Sequence, residues 1–377
     1  MKVISGHPNS NKIILGRLTK NRLPLAKRSK AILITTEPRW TDVGYAGIIT
    51  NTSRKAAHPL LPVQVSVESL KDIPEDDVVL VTNGDIHFLW EAKSRNNGLL
   101  LTEACNCRCL MCPQPPKPFN AKQIQTAMDV LALSPPDFDG EICLTGGEPT
   151  LCGDRLFELL KGCHERHPRA SIIMLTNGKR FSEFSFAKQF AAQGVPVKIA
   201  VSLHADADTL HDKVVGTEGS FRNTQQGLYN LAKLGQNIEI RVVVSKLNYA
   251  RLPQVAQHIY RNYPFAAHVT FMALEVTGYA QRNYETVWID PFDYKDILED
   301  ALHTLHRSGM RVSAYNHPLC LLPQKAWPFA RKSISEWKNN YIPVCEDCSV
   351  RDRCCGVFTT SGDKLSRHIH PIVRSKE

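Results

Sequence analysis

The sequence predicts an α/β protein: a parallel sheet of six β/α units forming a partial barrel over residues 97–310, with a β-rich domain at 1–96 before it and a cysteine-rich extension at 311–377 after it. Three observations predict this. From Asn97 onward, apolar runs of strand length alternate with helical stretches six times. The chemically distinctive residues fall at the C-terminal ends of those runs. Cysteines gather in two groups, Cys105 to Cys112 and Cys345 to Cys355.

The remaining composition sets the class. A hydrophobic fraction of 43% and a charged fraction of 22% are ordinary for a globular chain and exclude wholesale disorder, collagen-like and coiled-coil classes. No apolar run approaches a bilayer span, and the first residues lack the uninterrupted apolar core of a signal peptide, so a cytoplasmic location is expected. Twelve cysteines in such a chain point to metal or redox roles rather than disulfides. Cys143 and Cys163, standing alone, read as small buried hydrophobes. The net charge of +9 is concentrated between Lys2 and Lys55, including Arg54, where only Glu37 and Asp42 oppose it. Such a segment suits nucleic acid, an acidic peptide or a solvated face. It lacks the interleaved aromatics that stack bases, so nucleic acid is not the expected partner, and neither is a membrane.

The first hundred residues carry AILITT, GIITNT and VQVSVESL as strand signals, and VVLVT-NG-DIHFLW as a hairpin in which Asn83-Gly84 suits a type I′ turn. This domain docks a partner or is a structural appendage; no motif in it decides. GLLLTEA is then a strand running into the cysteine loop, with the helix AKQIQTAMDVLAL behind the Pro-rich PQPPKP turn. GEICLTGGEP, SIIMLTNG and VKIAVSLHA are the next strands, followed by LFELLKGCHERH, by FSEFSFAKQFAAQG with Gly194 as its stop, and, after a polar loop, by FRNTQQGLYNLAKLG. IEIRVVVSKLN and HVTFMALEVTG complete the six, with helices at ARLPQVAQHIYRNY and DYKDILEDALHTLHRSG. Parallel pairing follows because each strand is joined to the next by a crossover, and the near-continuous apolar strands fit burial on both faces.

Barrels of this kind place their chemistry at the C-terminal ends of the strands. Those ends are the cysteine loop, Thr145 to Pro149, Thr176 to Gly178, Ser202 to His204 and Glu275 to Gly278. Cys105, Cys109 and Cys112 form a Cys-x3-Cys-x2-Cys array, enough for three corners of an iron-sulfur cluster and leaving one iron open, whereas four-thiolate clusters are closed and carry electrons. A structural zinc site would want a fourth ligand. Cys107 offers only a cramped alternate-residue spacing and points away from its neighbours in an extended loop. Gly146 and Gly147 permit close backbone approach of a ligand, Glu148 offers an acceptor for an ammonium group, and Pro149 fixes the following turn. Near the C-terminus, Cys345, Cys348 and Cys354 form a Cys-x2-Cys-x5-Cys array with Cys320 or Cys355 as fourth ligand, for zinc or for a second cluster.

The cysteine loop followed by TGGEP, TNG and VSLH at successive strand ends resembles the radical S-adenosylmethionine (SAM) enzymes over roughly residues 97–309. The resemblance implies a partial (β/α)6 barrel and a [4Fe-4S] cluster on Cys105, Cys109 and Cys112 whose open iron is chelated by SAM. By matching position, Gly146, Gly147 and Glu148 would meet the methionyl amino group and Ser202 would contact the cofactor, with Thr176, Asn177 and His204 as further candidates. It also implies reductive cleavage of SAM to a 5′-deoxyadenosyl radical, with an electron donor such as flavodoxin or ferredoxin. Met111 departs from the aromatic residue usual before the third cysteine, and its side chain is expected to pack on the adenine. The C-terminal array resembles the auxiliary-cluster extensions of peptide-modifying radical enzymes, implying a second [4Fe-4S] cluster on Cys345, Cys348 and Cys354, with Cys320 or Cys355 as its fourth ligand. LLLTEACNCRCLMCPQPPK, FMALEVTGYA and CEDCSVRDRCCG together are similar to the His-Xaa-Ser system radical maturases, HxsC-like, which implies a peptide or small-protein substrate and a sister radical SAM maturase as partner. Modification of tRNA, and a non-enzymatic zinc or iron-sulfur module, are the alternatives.

Overall fold

The computed structural model describes residues 2–52, 63–71, 73–332, 338–362 and 364–373; Arg54 and Lys55 of the basic segment lie outside them. The chain divides into two compact units, one of residues 1–99 with 122–143 and 158–171, the other of residues 100–121, 144–157 and 172–377.

The first unit contains an eight-stranded sheet of order β1-β8-β7-β3-β4-β5-β6-β2. Its strands are β1 (Val3–Ile4), β2 (His7–Pro8), β3 (Ile14–Thr19), β4 (Ala31–Ile34), β5 (Gly47–Thr50), β6 (Val63–Ser66), β7 (Val78–Thr82) and β8 (Asp85–Trp90). Alternation along these strands buries Leu18, Ile32, Ile49, Val65, Val79 and Ile86 in one core. The expected hairpin is present: Thr82 pairs with Asp85, and Asn83 (φ 51°) and Gly84 (φ 93°) both take the left-handed conformation of a type I′ turn. β3 to β6 run parallel although, among the described residues, no α-helix connects them. Part of the basic excess is internal bracing. Arg22 pairs at 2.8 Å with Asp42, which is fully buried, and Arg28 donates to the carbonyls of Leu23, Thr41 and Val43. Within this unit the Trp90 ring stacks on His167 and meets Phe138 edge to face.

The second sheet has the order β16-β15-β14-β13-β12-β11-β10-β9. Its strands are β9 (Asn96–Thr102), β10 (Glu141–Gly146), β11 (Ser171–Thr176), β12 (Val197–Ser202), β13 (Asn237–Val243), β14 (His268–Met272), β15 (Val312–Tyr315) and β16 (Ala330–Arg331). The pairs from β11 through β16 are parallel. The intervening helices are α1 (Ala121–Leu133), α2 (Asp154–Arg166), α3 (Phe184–Ala191), α4 (Asp208–Val215), α5 (Ser220–Lys233), α6 (Leu252–Asn262), α7 (Tyr279–Arg282), α8 (Tyr284–Val287) and α9 (Lys295–Arg307). This is the predicted α/β architecture, a partial barrel with open edges. Two features extend it. The sheet continues beyond the sixth strand, since β15 and β16 from the cysteine-rich extension add to its edge. The stretch read as a polar loop after β12 contains α4, whose Asp212 accepts from the amides of Gly219 and Phe221 and so also starts α5.

Strand periodicity sorts β13. Ile238, Ile240 and Val242 share one face, and Glu239 and Arg241 the other. On that second face the register aligns Ser202, Arg241, Thr270 and Ser313 across four strands. Glu239 accepts from Arg241 at 2.6 Å and pairs with His268 at 2.9 Å, and His268 reaches Ser313 at 3.0 Å. Buried charges persist when paired in this way. Among the described residues no helix is long and apolar enough to cross a membrane.

Candidate active site

The cysteine loop leaves β9 and is clasped by backbone from three other places in the second unit. Gly147 and Glu148 donate their amides to the carbonyls of Thr102 and Ala104, both at 2.8 Å. Arg108 and Leu110 donate to the carbonyls of Val215 and Val214 at the end of α4. Tyr279, at the start of α7, donates to Cys112, and the Asn283 side chain donates to Leu110. These approaches require glycine. A Cβ on Gly147 would lie 2.3 Å from the Ala104 carbonyl oxygen, and one on Gly278 (φ +58°) would lie 2.4 Å from that of Pro113. The GG pair was expected to admit a ligand to the backbone; here the backbone it admits is that of the chain's own cysteine loop. Gly216, Gly278 and Asn283 were missed in the sequence because their partners are distant along the chain, although Gly278 closes the quoted Glu275-to-Gly278 strand end.

Glu148 is fully buried at the head of a short turn. One carboxylate oxygen accepts from the Thr150 amide, the Thr150 hydroxyl and the Thr176 hydroxyl at 3.1, 2.7 and 2.8 Å, and the other accepts from the Asn177 amide at 2.8 Å. Burial raises its pKa while those four donors oppose the rise. The carboxylate therefore ties the end of β10 to the end of β11, with spare acceptor capacity on the oxygen facing Asn177. Asn177 carries the tie onward: its side-chain amide donates to Asn106 at 2.6 Å and lies 3.6 Å from Cys107 Sγ and 4.0 Å from Cys105 Sγ. Ser202 is half-buried at the end of β12. His204 is buried among its own fold: its amide donates to His211 Nδ1, its carbonyl accepts from Asn248, and its own Nδ1 accepts from the Val243 amide. Burial lowers its pKa to about 3, keeping the ring neutral.

Cys105, Cys109 and Cys112 are all partly buried on the loop. Burial pushes the Cys109 thiol up to about 12, helped by the charges of Cys107 and Cys112, and burial also raises Cys112. Cys105 is raised first by its thiol hydrogen bond to Cys107 and then by burial. That bond corrects one expectation. Cys107 does not face away from Cys105: residues two apart on an extended stretch share a face, so the expectation misassigned the side, and the Cys107 amide itself lies 3.4 Å from Cys105 Sγ. Cys107 is 2% exposed, with its sulfur 3.9 Å from Ser220 Oγ. Met111 also departs from its expected place: it is buried against Val214, Ala280 and Val287, an anchor of the loop in an apolar cluster.

The second cysteine group converges. Cys320, Cys345, Cys348 and Cys354 line one small pocket, with Arg351, His370 and Ile372 among its walls. Cys355 is buried beside it, its thiol directed to the Gly356 carbonyl and bonded to Cys354. That bond, followed by the amides of Leu319 and Gly356 at 3.4 Å, lowers the Cys354 thiol to about 6. The extension is clasped to the loop after β14 by Glu275, which accepts from Lys338 at 2.5 Å and from Thr360 at 3.0 Å.

Among the described residues no three His, Cys, Asp or Glu side chains close around the position of a single ion. A cluster spreads its thiolates over separate irons, and the donor chemistry fits one at each group. Burial alone disfavours several adjacent thiolates; a bound polycation reverses that preference.

Residues 99–259 match the family described as Radical SAM superfamily. A curated relative, the AdoMet-dependent heme synthase of Nitratidesulfovibrio vulgaris, is 25% identical over 206 residues, covering 52% of this chain and 53% of that protein, so the chain spans about half the length of the relative it matches. Similar solved structures include SuiB of Streptococcus suis bound to S-adenosylmethionine (16% identity, 59% of this chain and 51% of that chain, TM-score 0.47). A radical SAM methyltransferase from Sphaerobacter thermophilus (14% identity, 63% and 72%, TM-score 0.45) is another.

Proposed function

We propose that this chain is a radical SAM enzyme, a reading supported by the match of residues 99–259 to that superfamily, and that it modifies a ribosomally produced peptide or small protein, of the His-Xaa-Ser system, HxsC-like type. When bound, the cluster and SAM supply a 5′-deoxyadenosyl radical that abstracts hydrogen from a nearby substrate. The observation that carries the reading is the pairing of two dissimilar cysteine sites: a three-thiol loop at the strand ends and a separate pocket lined by four cysteines.

The protein's own work is positional. Backbone from β10, α4 and the loop after β14 fixes the loop bearing Cys105, Cys109 and Cys112. Glu148, Thr176 and Asn177 lock the neighbouring strand ends against it, leaving the carbonyls of Gly146 and Gly147 and the free capacity of Glu148 for the methionyl ammonium. Ser202 presents a hydroxyl from β12. Cys320, Cys345, Cys348 and Cys354 would hold the second [4Fe-4S] cluster, completing the division into residues 1–96, 97–310 and 311–377. A sister radical enzyme and a flavodoxin- or ferredoxin-type donor are the partners this reading entails.

Anaerobic reconstitution followed by reduction in the presence of SAM tests the chemistry, with 5′-deoxyadenosine as the expected product. Mass spectrometry of small proteins encoded beside this gene, co-expressed with and without the enzyme, tests the substrate; a mass change is expected in one of them. Unchanged peptides together with altered tRNA nucleosides would move the assignment to RNA.

A further inference from the structure

The segment 366–373 is bound at both ends and runs along the second cysteine pocket. At one end, the His368 ring stacks on Phe292 with centroids 3.8 Å apart, and Arg367 lies 3.9 Å from Asp293, so the segment is fastened to the residues that precede α9. At the other, the Ile372 carbonyl accepts from both the amide and the hydroxyl of Ser349, at 2.9 and 2.7 Å. Ile369, His370 and Ile372 lie between these anchors as pocket walls.

The local sequence His370-Pro371-Ile372 explains what the segment presents. Pro371 biases His370 toward extended backbone, and in an extended chain the amides of residues two apart point to the same side. The two N–H groups flanking Pro371 therefore face one way, and the proline, which has no N–H, costs nothing on the other. One of them reaches sulfur: the Ile372 amide donates to Cys348 Sγ at 3.5 Å, while His370 lines the pocket beside Cys320. With the Leu319 and Gly356 amides on Cys354, two of the four cysteines lining the pocket, Cys348 and Cys354, receive backbone N–H donors.

We propose that segment 366–373 is a strap whose Ile372 amide, held in place by the anchors at either end, sets the electronic character of the group held by Cys320, Cys345, Cys348 and Cys354, raising its reduction potential. This rests on the proposed second cluster. Donation to a cluster sulfur withdraws electron density and favours the more negative, reduced state, and hydrogen bonds to sulfur are among the determinants of cluster potential. Ile372 is a positioning residue: its amide acts on the Cys348 sulfur and need not touch substrate.

The test uses the full chain carrying Cys105→Ala, Cys109→Ala and Cys112→Ala, reconstituted with iron and sulfide, so that only the second site contributes to a potentiometric titration read by electron paramagnetic resonance. Ile372→Pro removes one donor and should lower the midpoint potential, while Ile372→Ala, which keeps the amide, should leave it in place. Equal potentials in the two variants overturn the strap. Should Ile372→Pro fail to fold, hydrogen–deuterium exchange on the unsubstituted segment decides: the Ile372 amide should exchange more slowly in the loaded chain than in the metal-free chain, and unchanged exchange overturns the proposal. If the triple variant takes up zinc but no iron and sulfide, the second-cluster reading fails, and the strap's effect on a reduction potential falls with it, because zinc has no redox couple.

Discussion

The two cysteine sites differ in what the surrounding chain holds. Around the first, stretch 102–113 is gripped mainly through its peptide groups: the carbonyls of Thr102, Ala104, Leu110 and Cys112 accept donors from the turn after β10, α7 and Asn283, the amides of Arg108 and Leu110 are taken by α4, and the backbone donor to sulfur is the loop's own Cys107 amide, 3.4 Å from Cys105. At the second site amides from outside the array reach the sulfurs, those of Leu319 and Gly356 on Cys354 and that of Ile372 on Cys348. A site that must admit a cofactor benefits from a rigid frame that leaves its metal face uncovered. A closed, electron-carrying site can be wrapped by the protein. Sequence spacing alone, three cysteines in each array, does not distinguish these plans; the surrounding donors do.

The largest expected effects separate the two sites directly. Cys109→Ala should abolish 5′-deoxyadenosine formation and remove about four irons per chain, with the fold retained by circular dichroism. Cys348→Ala should remove a similar amount of iron while the remaining reduced cluster still changes its paramagnetic spectrum when SAM is added. If either substitution empties both sites, the chain has one coupled metal centre and the comparison collapses.

A smaller effect tests the frame of the first site. Gly278 and Gly219 both have positive φ, at +58° and +70°, yet a Cβ on Gly278 would meet the Pro113 carbonyl oxygen at 2.4 Å, whereas one on Gly219 meets nothing within 4 Å. Alanine at Gly219, with ψ 2°, carries the left-handed strain of roughly 1–2 kcal/mol, and at Gly278, with ψ −124°, a sparsely populated conformation costing roughly 1–3 kcal/mol. At Gly278 the forced displacement should add about 1–3 kcal/mol and weaken SAM binding, because the loop itself must move. Chemical denaturation and equilibrium dialysis with SAM compare the pair; indistinguishable variants would show that the loop is not held by this contact.

What was legible in the sequence follows the same division. The array of Cys105, Cys109 and Cys112, the strand ends and the Asn83-Gly84 hairpin are written in local spacing, where residue period and turn chemistry are read directly. The clasp is not. Gly216 and Gly278 look like ordinary helix or strand stops until the chain returns them to Arg108 and Pro113. The α4 stretch, with Asp206, Asp208, Asp212 and Lys213 in a short span, reads as polar loop because its buried His211, Val214 and Val215 are few. Membership of β15 in the barrel sheet depends on pairing with β14, which no local pattern announces. Met111 and Cys107 differ from expectation for separate reasons: family position says nothing of the apolar cluster of Val214, Ala280 and Val287 that receives Met111, and alternate residues of an extended stretch share a face, which puts Cys107 beside Cys105.

Cys107 gives the smallest expected effect and the sharpest test of that placement. Its thiol bonds to Cys105, which is assigned to the cluster, and lies near the Asn177 amide and the Ser220 hydroxyl. If Cys107 only fills space behind the ligands, Cys107→Ala removes one buried sulfur, costs about 1 kcal/mol, and leaves iron content and 5′-deoxyadenosine yield unchanged. If instead Cys107 is a ligand and Cys105 its neighbour, Cys107→Ala empties the site and Cys105→Ala does not. Should each single variant keep its cluster while the double variant loses it, either thiol can take the corner. The three outcomes are separated by iron and sulfide content alone, so the ligand set can be decided before any substrate is known.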